Sequence, residues 1–170
     1  FLYLKEHVFP QMARWEADSR DWHIWCAASS TGEEPYTLAM LCMDYLGLDY
    51  PNWDTQVLAT DIDTHVLDIA RKGIYTKDSV EHLPHSYVRR FFRNYSDKEY
   101  QVTKELKEQV LFRQFNLMNP LPFSRPLHVV FLRNVMIYFE EETKLRLLNQ
   151  IYDKLMPGGY LFIGSTESIN

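Results

Sequence analysis

Hydrophobic and polar positions along the chain predict strands that alternate with helices. A short apolar run at 22–28 (WHIWCAA) leads into a polar loop, and apolar residues then recur at helical spacing over 35–48. The same order returns with a strand at 55–60 (TQVLAT) and a helix at 64–73, and a glycine is expected to end each helix. Two strand–loop–helix units in succession predict a parallel sheet with helices packed against it.

The pattern changes between residues 75 and 108, where charged and aromatic residues dominate. Residues 85–95 (HSYVRRFFRNY) have helix-like spacing, and two alternating stretches within 99–117 are expected to pair as strands. We therefore predict a small lobe inserted after the second helix, over about 75–108.

The main sheet is expected to resume after this lobe. Two apolar runs, 110–115 (VLFRQF) and 127–132 (LHVVFL), predict strands, and 140–156 is an amphipathic pattern typical of a helix. The tripeptide at 157–159 (PGG) predicts a turn into a further strand, YLFIGS. Before the first strand, residues 1–15 carry a helical apolar stripe that Pro10 is expected to interrupt.

Composition limits the classes of function. The 170 residues, 46% hydrophobic and 24% charged, suffice for one domain with a buried core. The net charge of −5 provides no basic excess for a nucleic-acid partner. Cys26 and Cys42 lack metal-binding spacing, so we expect two small buried hydrophobic residues and no metal site. No apolar run is long enough for direct membrane insertion, and we expect a soluble cytoplasmic domain.

Polar residues follow four of the predicted strands. Because parallel strands end at the same edge of a sheet, residues 28–34, Asp61, Asn116 and 133–138 are expected to meet in one crevice. A loop that binds a dinucleotide is usually rich in glycine, whereas this one contains only Gly32.

The loop is also acidic. Glu33 and Glu34 would repel a phosphate at the start of the following helix, while the helix dipole itself stabilises such carboxylates by about 0.3–1 kcal/mol each. Asp61, at the end of the second strand, suits ribose hydroxyls. Together these features predict an adenosyl cofactor that lacks phosphates.

Each of these features also has a plainer structural explanation. Thr31 and Glu34 fit the T-x-x-E capping box, and Asp61 and Asp63 are residues that often begin helices. Turn, ion-pair or loop-anchoring roles are the alternatives for four further residues: Asn116, Asn134, Arg133 and Tyr138.

Five motifs together resemble the CheR family of chemotaxis-receptor glutamate methyltransferases. In chain order they are AASSTGEEPYTLAM (27–40), ATDIDTHVLDIARKGIY (59–75), FNLMNPLP (115–122), FLRNVMIYF (131–139) and GGYLFIGSTESI (158–169). The resemblance implies an α/β fold, a Rossmann-like S-adenosylmethionine-dependent methyltransferase domain with a mostly parallel sheet flanked by helices and a small inserted β-lobe. It also implies methyl transfer to glutamate carboxylates, with S-adenosylhomocysteine as the other product.

The resemblance assigns roles to particular residues. It implies that Tyr138 lies beside the transferred methyl group as the catalytic residue, and that Asp61 contacts the ribose; we treat Glu33 as a capping or structural residue. Further cofactor contacts are implied at Gly32, Glu34, Asn116, Leu117, Arg133 and Asn134. No metal or general base is expected, because a glutamate, with a reference pKa of about 4.3, is already ionised at neutral pH.

The expected partners are the cytoplasmic domains of chemoreceptors, with a receptor-tail peptide adding a strand at an exposed edge over 100–105. The family's helical N-terminal domain and its upstream T-x-F-F-R stretch have no match here, so we expect a methyltransferase domain over 1–170 trimmed at both ends. Two alternatives are a non-catalytic S-adenosylmethionine-binding signalling module and a nicotinamide dehydrogenase. The acidic loop with its single glycine argues against the second.

Overall fold

The computed structural model describes residues 1–164. Within them the strands, in chain order, are β1 (Ile24–Cys26), β2 (Val57–Asp61), β3 (Ile74–Thr76), β4 (Phe92–Asn94), β5 (Glu99–Val102), β6 (Val110–Gln114), β7 (Leu127–Leu132) and β8 (Leu155–Ile163). The α-helices are α1 (Phe9–Trp15), α2 (Glu33–Leu46), α3 (Thr64–Lys72), α4 (Lys77–Val80), α5 (His85–Phe91), α6 (Lys104–Lys107) and α7 (Glu141–Lys154).

The main sheet is parallel, as the repeated strand–loop–helix pattern predicts. Its strands lie in the order β6–β2–β1–β7–β8. The chain runs outward from β1 through β2 to β6 and then crosses back to β7, so the direction of winding reverses between β1 and β7. In open sheets of this kind, ligands bind beyond the carboxyl ends of the strands at such a reversal.

The sheet separates two hydrophobic clusters. Successive side chains of β1 point to opposite faces: Ile24 and Cys26 join the larger cluster, which contains α2, whereas Trp25 joins the smaller one, which contains α7. Every residue of β7 is buried, as expected for a strand covered by helices on both faces.

The predicted elements exist, but several boundaries differ. Gly47 and Gly73 follow α2 and α3 as predicted, and Asp63 takes the helix-starting role that was its structural alternative: it caps α3, and its carboxylate accepts the backbone N–H of His65 at 2.8 Å. The predicted turn at 157–159 is instead an irregularity inside β8, where the pairing with β7 shifts register. The helix predicted over 140–156 spans Glu141–Lys154.

Pro10 does not interrupt the N-terminal helical stripe. A π-helical turn at Leu4–Val8 continues directly into α1, where Pro10 occupies the first turn and needs no hydrogen-bonded N–H. Phe9 and Met12 are buried with Leu4 and Val8. Among residues 1–164, no helix has the length and apolar character required to cross a membrane.

The segment after α3 forms a small antiparallel sheet in the order β3–β5–β4. The pairing predicted within 99–117 is wrong, because β5 pairs with β3 and β4, while β6 joins the main sheet beside β2. The predicted exposed edge at 100–105 is also wrong, since β5 is the central strand and is paired on both sides. Tyr75 and Val102 of this sheet belong to the larger cluster, so the sheet packs onto the main body.

Candidate functional site

The polar loop that follows β1 is anchored to the end of β2. Ser29 N–H donates to the carbonyl of Thr60 at 2.8 Å, and Ser30 N–H donates to Asp61 Oδ2 at 2.9 Å. Ser30 has a φ of 49° and Gly32 a φ of 99°, so the loop turns through two left-handed residues. Such a turn is costly for a serine and is retained where its surroundings hold it in place.

Gly32 is required by packing. A Cβ atom at this position would lie 2.9 Å from both the Cβ of Ala70 and the hydroxyl of Tyr75, and its φ is strained for other residues. Both neighbours belong to the segments beneath the loop, and Gly32 lines neither of the cavities described below. Its predicted cofactor contact stays a prediction.

The predicted capping box does not form. Gly32 is the N-cap of α2 and provides no side-chain acceptor, and the Thr31 hydroxyl donates to the carboxylate of Glu33. The second glutamate, Glu34, turns instead toward the ends of β1 and β7.

Glu34 forms the centre of a network that joins three elements. Cys26 Sγ of β1 donates to Glu34 Oε1 at 3.2 Å, and Arg133, directly after β7, donates from Nη1 to Glu34 Oε2 at 2.9 Å. Burial raises the pKa of the Cys26 thiol well above its usual range, and the negative charge of Glu34 adds to this effect. Cys26 therefore stays protonated and donates to Glu34. Arg133 therefore does form an ion pair, which was its structural alternative, but the pair lies inside the crevice. There the charge of Arg133 offsets part of the negative charge of the loop.

Asp61 uses both carboxylate oxygens to order backbone. Besides the bond from Ser30, its Oδ1 accepts the N–H of Asp63 at 3.0 Å. A carboxylate has about four acceptor positions, so these two bonds leave capacity for a ligand. Asp61 lines both cavities at the site, whereas Asp63 lines neither and caps α3.

Two cavities of different character meet beyond the sheet. One, of about 330 Å³, is lined mainly by apolar side chains: Ile62, Phe115, Leu117, Met118, Val135 and Phe139. The other, of about 440 Å³, is polar and is lined by Ser29, Ser30, Thr31, Glu33, Glu34, Arg133 and Asn134, among others. Ala28, Asp61 and Val135 line both.

Asn116 and Asn134 have structural roles at the rim of this crevice. The side-chain oxygen of Asn116 accepts the N–H of Met118 at 2.9 Å, which is the turn-forming alternative, and Asn116 also lines the apolar cavity. Asn134 has a φ of 59°, which asparagine tolerates better than most residues. It lines the polar cavity.

Tyr138 lies at the edge of the crevice. It is 79% exposed and belongs to a 3₁₀ turn at Met136–Tyr138, between Val135 and Phe139, which do line the apolar cavity. Tyr138 itself lines neither cavity, so the structure groups Glu34 and Asp61 more closely with each other than with this tyrosine. Its catalytic role stays a prediction.

Sequence reasoning missed two kinds of residue. Ile62, Phe115 and Met118 line the apolar cavity, and their positions just beyond β2 and β6 were the available signal. Cys26 was predicted as a plain buried residue; it is buried, but its bond to Glu34 depends on how β1 packs against α2.

The residues present fit an adenosyl cofactor without phosphates. The apolar cavity suits a flat base, and Asp61, at the junction of the cavities, suits ribose hydroxyls. The carboxylates of Glu33 and Glu34 in the polar cavity suit an ammonium or sulfonium group. The loop contains a single glycine, and the space that its lack of a Cβ leaves is occupied by Ala70 and Tyr75. This glycine therefore does not open the backbone to a diphosphate.

Comparison with known proteins identifies the family. The family model described as "CheR methyltransferase, SAM binding domain" matches residues 1–170. The chemotaxis protein methyltransferase of Borreliella burgdorferi is 37% identical over 172 residues, covering 99% of this chain and 61% of the relative. That of Escherichia coli K12 is 38% identical over 173 residues, covering 99% of this chain and 60% of the relative. The chain thus spans about three fifths of the length of these curated relatives.

Solved structures with a similar fold are more distant in sequence. A structure described as "DhpI-SAH complex structure" has a TM-score of 0.51 at 16% identity and covers 97% of this chain and 59% of its own. Another, "A Pericyclic Reaction enzyme", has a TM-score of 0.56 at 16% identity, with coverages of 96% and 32%. These likenesses support the α/β fold alone.

The family model covers all five sequence motifs. The structure describes the first four completely, while residues 165–169 of the fifth lie outside the described residues. The chain belongs to the CheR methyltransferase family, as its S-adenosylmethionine-binding domain.

Proposed function

We propose that this chain is the cofactor-binding part of an enzyme that transfers the methyl group of S-adenosylmethionine to glutamate side chains of chemoreceptors. One observation carries the proposal: Asp61, at the carboxyl end of β2, lines both an apolar cavity and an acidic cavity beyond the edge of the parallel sheet. The names of the relatives, chemotaxis protein methyltransferases, support the choice of reaction and substrate.

The residues of the crevice can perform the work that this reaction requires. S-adenosylmethionine, when bound, supplies a methyl group on a positively charged sulfur. Glu33, Glu34 and Asp61 favour a positive centre in the polar cavity, while the apolar lining around Phe115 holds the flat base of the cofactor out of water and so fixes the position of the sulfur. Orientation alone can contribute about 7–11 kcal/mol to such a step, and the acceptor glutamate arrives already ionised.

Tyr138 is the residue we propose to meet the substrate glutamate. Its exposure at the mouth of the crevice leaves the side chain accessible to an incoming protein. A tyrosine hydroxyl, with a reference pKa of about 10, donates a hydrogen bond to a carboxylate and orients it without accepting a proton. The remaining proposed cofactor contacts are Gly32, Asn116, Leu117, Arg133 and Asn134.

Calorimetric titration with S-adenosylhomocysteine tests the cofactor site. We expect saturable binding by the unaltered chain and at least about tenfold weaker binding by Asp61→Ala, because the substitution removes the acceptor at the junction of the cavities. Asp63→Ala is the matched control, since Asp63 caps α3 and lines neither cavity. No binding by the unaltered chain, or equal weakening by both substitutions, would contradict the proposal.

A finer proposal concerns a receptor-tail peptide at the small sheet. Since β5 is central, the available edges are β3 and β4, and β4 carries the exposed Arg93. Arg89 and Arg90 of α5 are also exposed just before β4. An acidic peptide that adds a strand beside β4 would pair with this backbone and with these charges.

A fluorescently labelled acidic receptor-tail peptide provides the measurement. We expect saturable binding that Arg93→Glu weakens several-fold. Arg113→Glu is the control of equal charge change, because Arg113 is exposed on β6 in the main sheet. A peptide that fails to saturate, or that responds equally to both substitutions, would argue against this edge.

A further inference from the structure

We infer that Tyr75, in the first strand of the small sheet, is a positioning residue of the cofactor site. Its hydroxyl donates to the carbonyl of Thr31 at 2.6 Å, across 44 positions of sequence. Thr31 lies in the loop that lines the polar cavity, whereas Tyr75 lines neither cavity. The inference rests on the proposed binding of S-adenosylmethionine in this crevice.

The loop needs support on the side where Tyr75 lies. Ser30 and Gly32, the residues on either side of Thr31, both have left-handed backbone. The two bonds from the end of β2 hold Ser29 and Ser30, and neither reaches Thr31. The Tyr75 hydroxyl therefore adds a third hydrogen bond to the loop from outside it, and this bond holds the peptide between Thr31 and the left-handed Gly32.

Tyr75 is held firmly enough to anchor the loop. It is 9% exposed, and its ring makes an edge-to-face contact with Tyr36 at a centroid distance of 6.3 Å. Burial raises its pKa far above the ordinary value for tyrosine, with smaller contributions from Tyr36 and Glu33. The hydroxyl thus stays protonated at neutral pH and is able to donate.

Packing around Gly32 supports the same role. A Cβ atom on Gly32 would lie 2.9 Å from the Tyr75 hydroxyl, so the loop and the tyrosine are already in close contact. β3 is hydrogen-bonded to β5, and the position of Tyr75 is fixed by the small sheet. The small sheet therefore supports the cofactor loop, in addition to any role in binding partners.

A purely structural role for Tyr75 would be filling the core beneath the loop, and phenylalanine would fill it equally well. Tyr36 provides the matched control. It is also a buried tyrosine in the same cluster, and its hydroxyl donates to a backbone carbonyl at 2.7 Å, but the acceptor is Ala70 of α3. Tyr75→Phe and Tyr36→Phe therefore each remove one buried hydroxyl, and only the first releases the loop.

The experiment compares these two variants by calorimetric titration with S-adenosylhomocysteine and by amide hydrogen exchange of Ser30 and Gly32 without ligand. We expect Tyr75→Phe to bind about 3- to 10-fold more weakly and to exchange these amides faster, because one net hydrogen bond to the loop is lost. Tyr36→Phe is expected to match the unaltered chain in both measurements, although both variants lose stability.

Unchanged affinity in Tyr75→Phe, or equal weakening in both variants, would overturn the inference. If the unaltered chain binds no S-adenosylhomocysteine, the proposed function fails instead. In that case the exchange rates decide whether Tyr75 holds the loop, since faster exchange in Tyr75→Phe alone supports the anchor and equal exchange removes it.

Discussion

At the scale of single residues, Glu34 shows how a charged group can be held ready for a ligand in a partly buried place. Cys26 and Arg133 each contact a different oxygen of the carboxylate, which fixes its plane. Each oxygen retains acceptor capacity, so a ligand can bind without displacing either partner. The thiol is the weaker of the two donors, but it is fully buried and its position is set by β1.

We predict that Cys26→Ala weakens binding of S-adenosylhomocysteine by about two- to fivefold, because Glu34 loses one of the two groups that orient it. Cys26→Ser is expected to restore most of the affinity, since a hydroxyl donates to the same oxygen. Calorimetric titration measures both. Cys42→Ala is the control, because Cys42 is buried on α2 in the same cluster. This substitution is expected to lower the free energy of unfolding without changing the affinity for S-adenosylhomocysteine. Equal affinities for Cys26→Ala and Cys42→Ala would refute this role.

The residues of the site differ in how far sequence could predict them. The position of Asp61 follows from its place just after a buried strand in a parallel sheet, and the structure puts it at the centre of the crevice. The partners of Glu34 could not be predicted, because Cys26 and Arg133 reach it only through the packing of β1, α2 and β7. The capping box was a local alternative, and the more distant ion pair prevailed over it.

At the scale of elements, apolar patterning located the strands of the main sheet but not every partner. β7 coincides with the strand predicted from the largely apolar run at 127–132, and α2 and α3 end at the predicted glycines. In the small sheet, the alternation of apolar and polar residues predicted that β5 is a strand, but it could not indicate which strands pair with β5. The partners depend on the turn after β4 and on Gly73, which set how the chain folds back.

Gly73 joins the two sheets at a point where a side chain cannot fit. It ends α3 with a φ of 65°, and an added Cβ would lie 2.3 Å from Cγ2 of Val102 on β5. Its carbonyl also accepts the N–H of Val102 at 2.9 Å, so the backbone cannot move away freely. The glycine therefore sets how closely the small sheet approaches the end of α3.

We predict that Gly73→Ala lowers the free energy of unfolding by about 2–4 kcal/mol, through the left-handed backbone and the clash with Val102. Urea denaturation measures this change. The double variant Gly73→Ala/Val102→Ala is expected to lose less free energy of unfolding than the two single variants lose together. The difference should be at least about 1 kcal/mol, because removing the Val102 methyl groups relieves the clash. Gly47→Ala is the control: an added Cβ there has no neighbour within 4 Å, so combining it with Val102→Ala should be additive. Additive changes at Gly73 and Val102 would show that crowding is unimportant.

At the scale of the whole molecule, the order of the strands determines the chemistry of the crevice. β1 lies between β2 and β7, which brings the loop after β1 between Asp61 on one side and Arg133 on the other. The sequence predicted that these segments share an edge of the sheet, but it did not predict their order across that edge. If β6 stood beside β1, Asn116 would take the place of Asp61 next to the loop, and the acidic junction between the cavities would be lost.

The same arrangement explains how an acidic loop can bind a ligand without being destabilised. Glu33 and Glu34 stand at the positive end of α2, and Arg133 neutralises part of the charge from the neighbouring strand. The remaining negative charge lies on the side of the polar cavity, where Asp61 adds to it, and the apolar cavity holds none beyond this shared aspartate. A ligand with a flat apolar end and a cationic end therefore has only one favourable orientation, because reversing it would place the cation against Phe115 and Leu117.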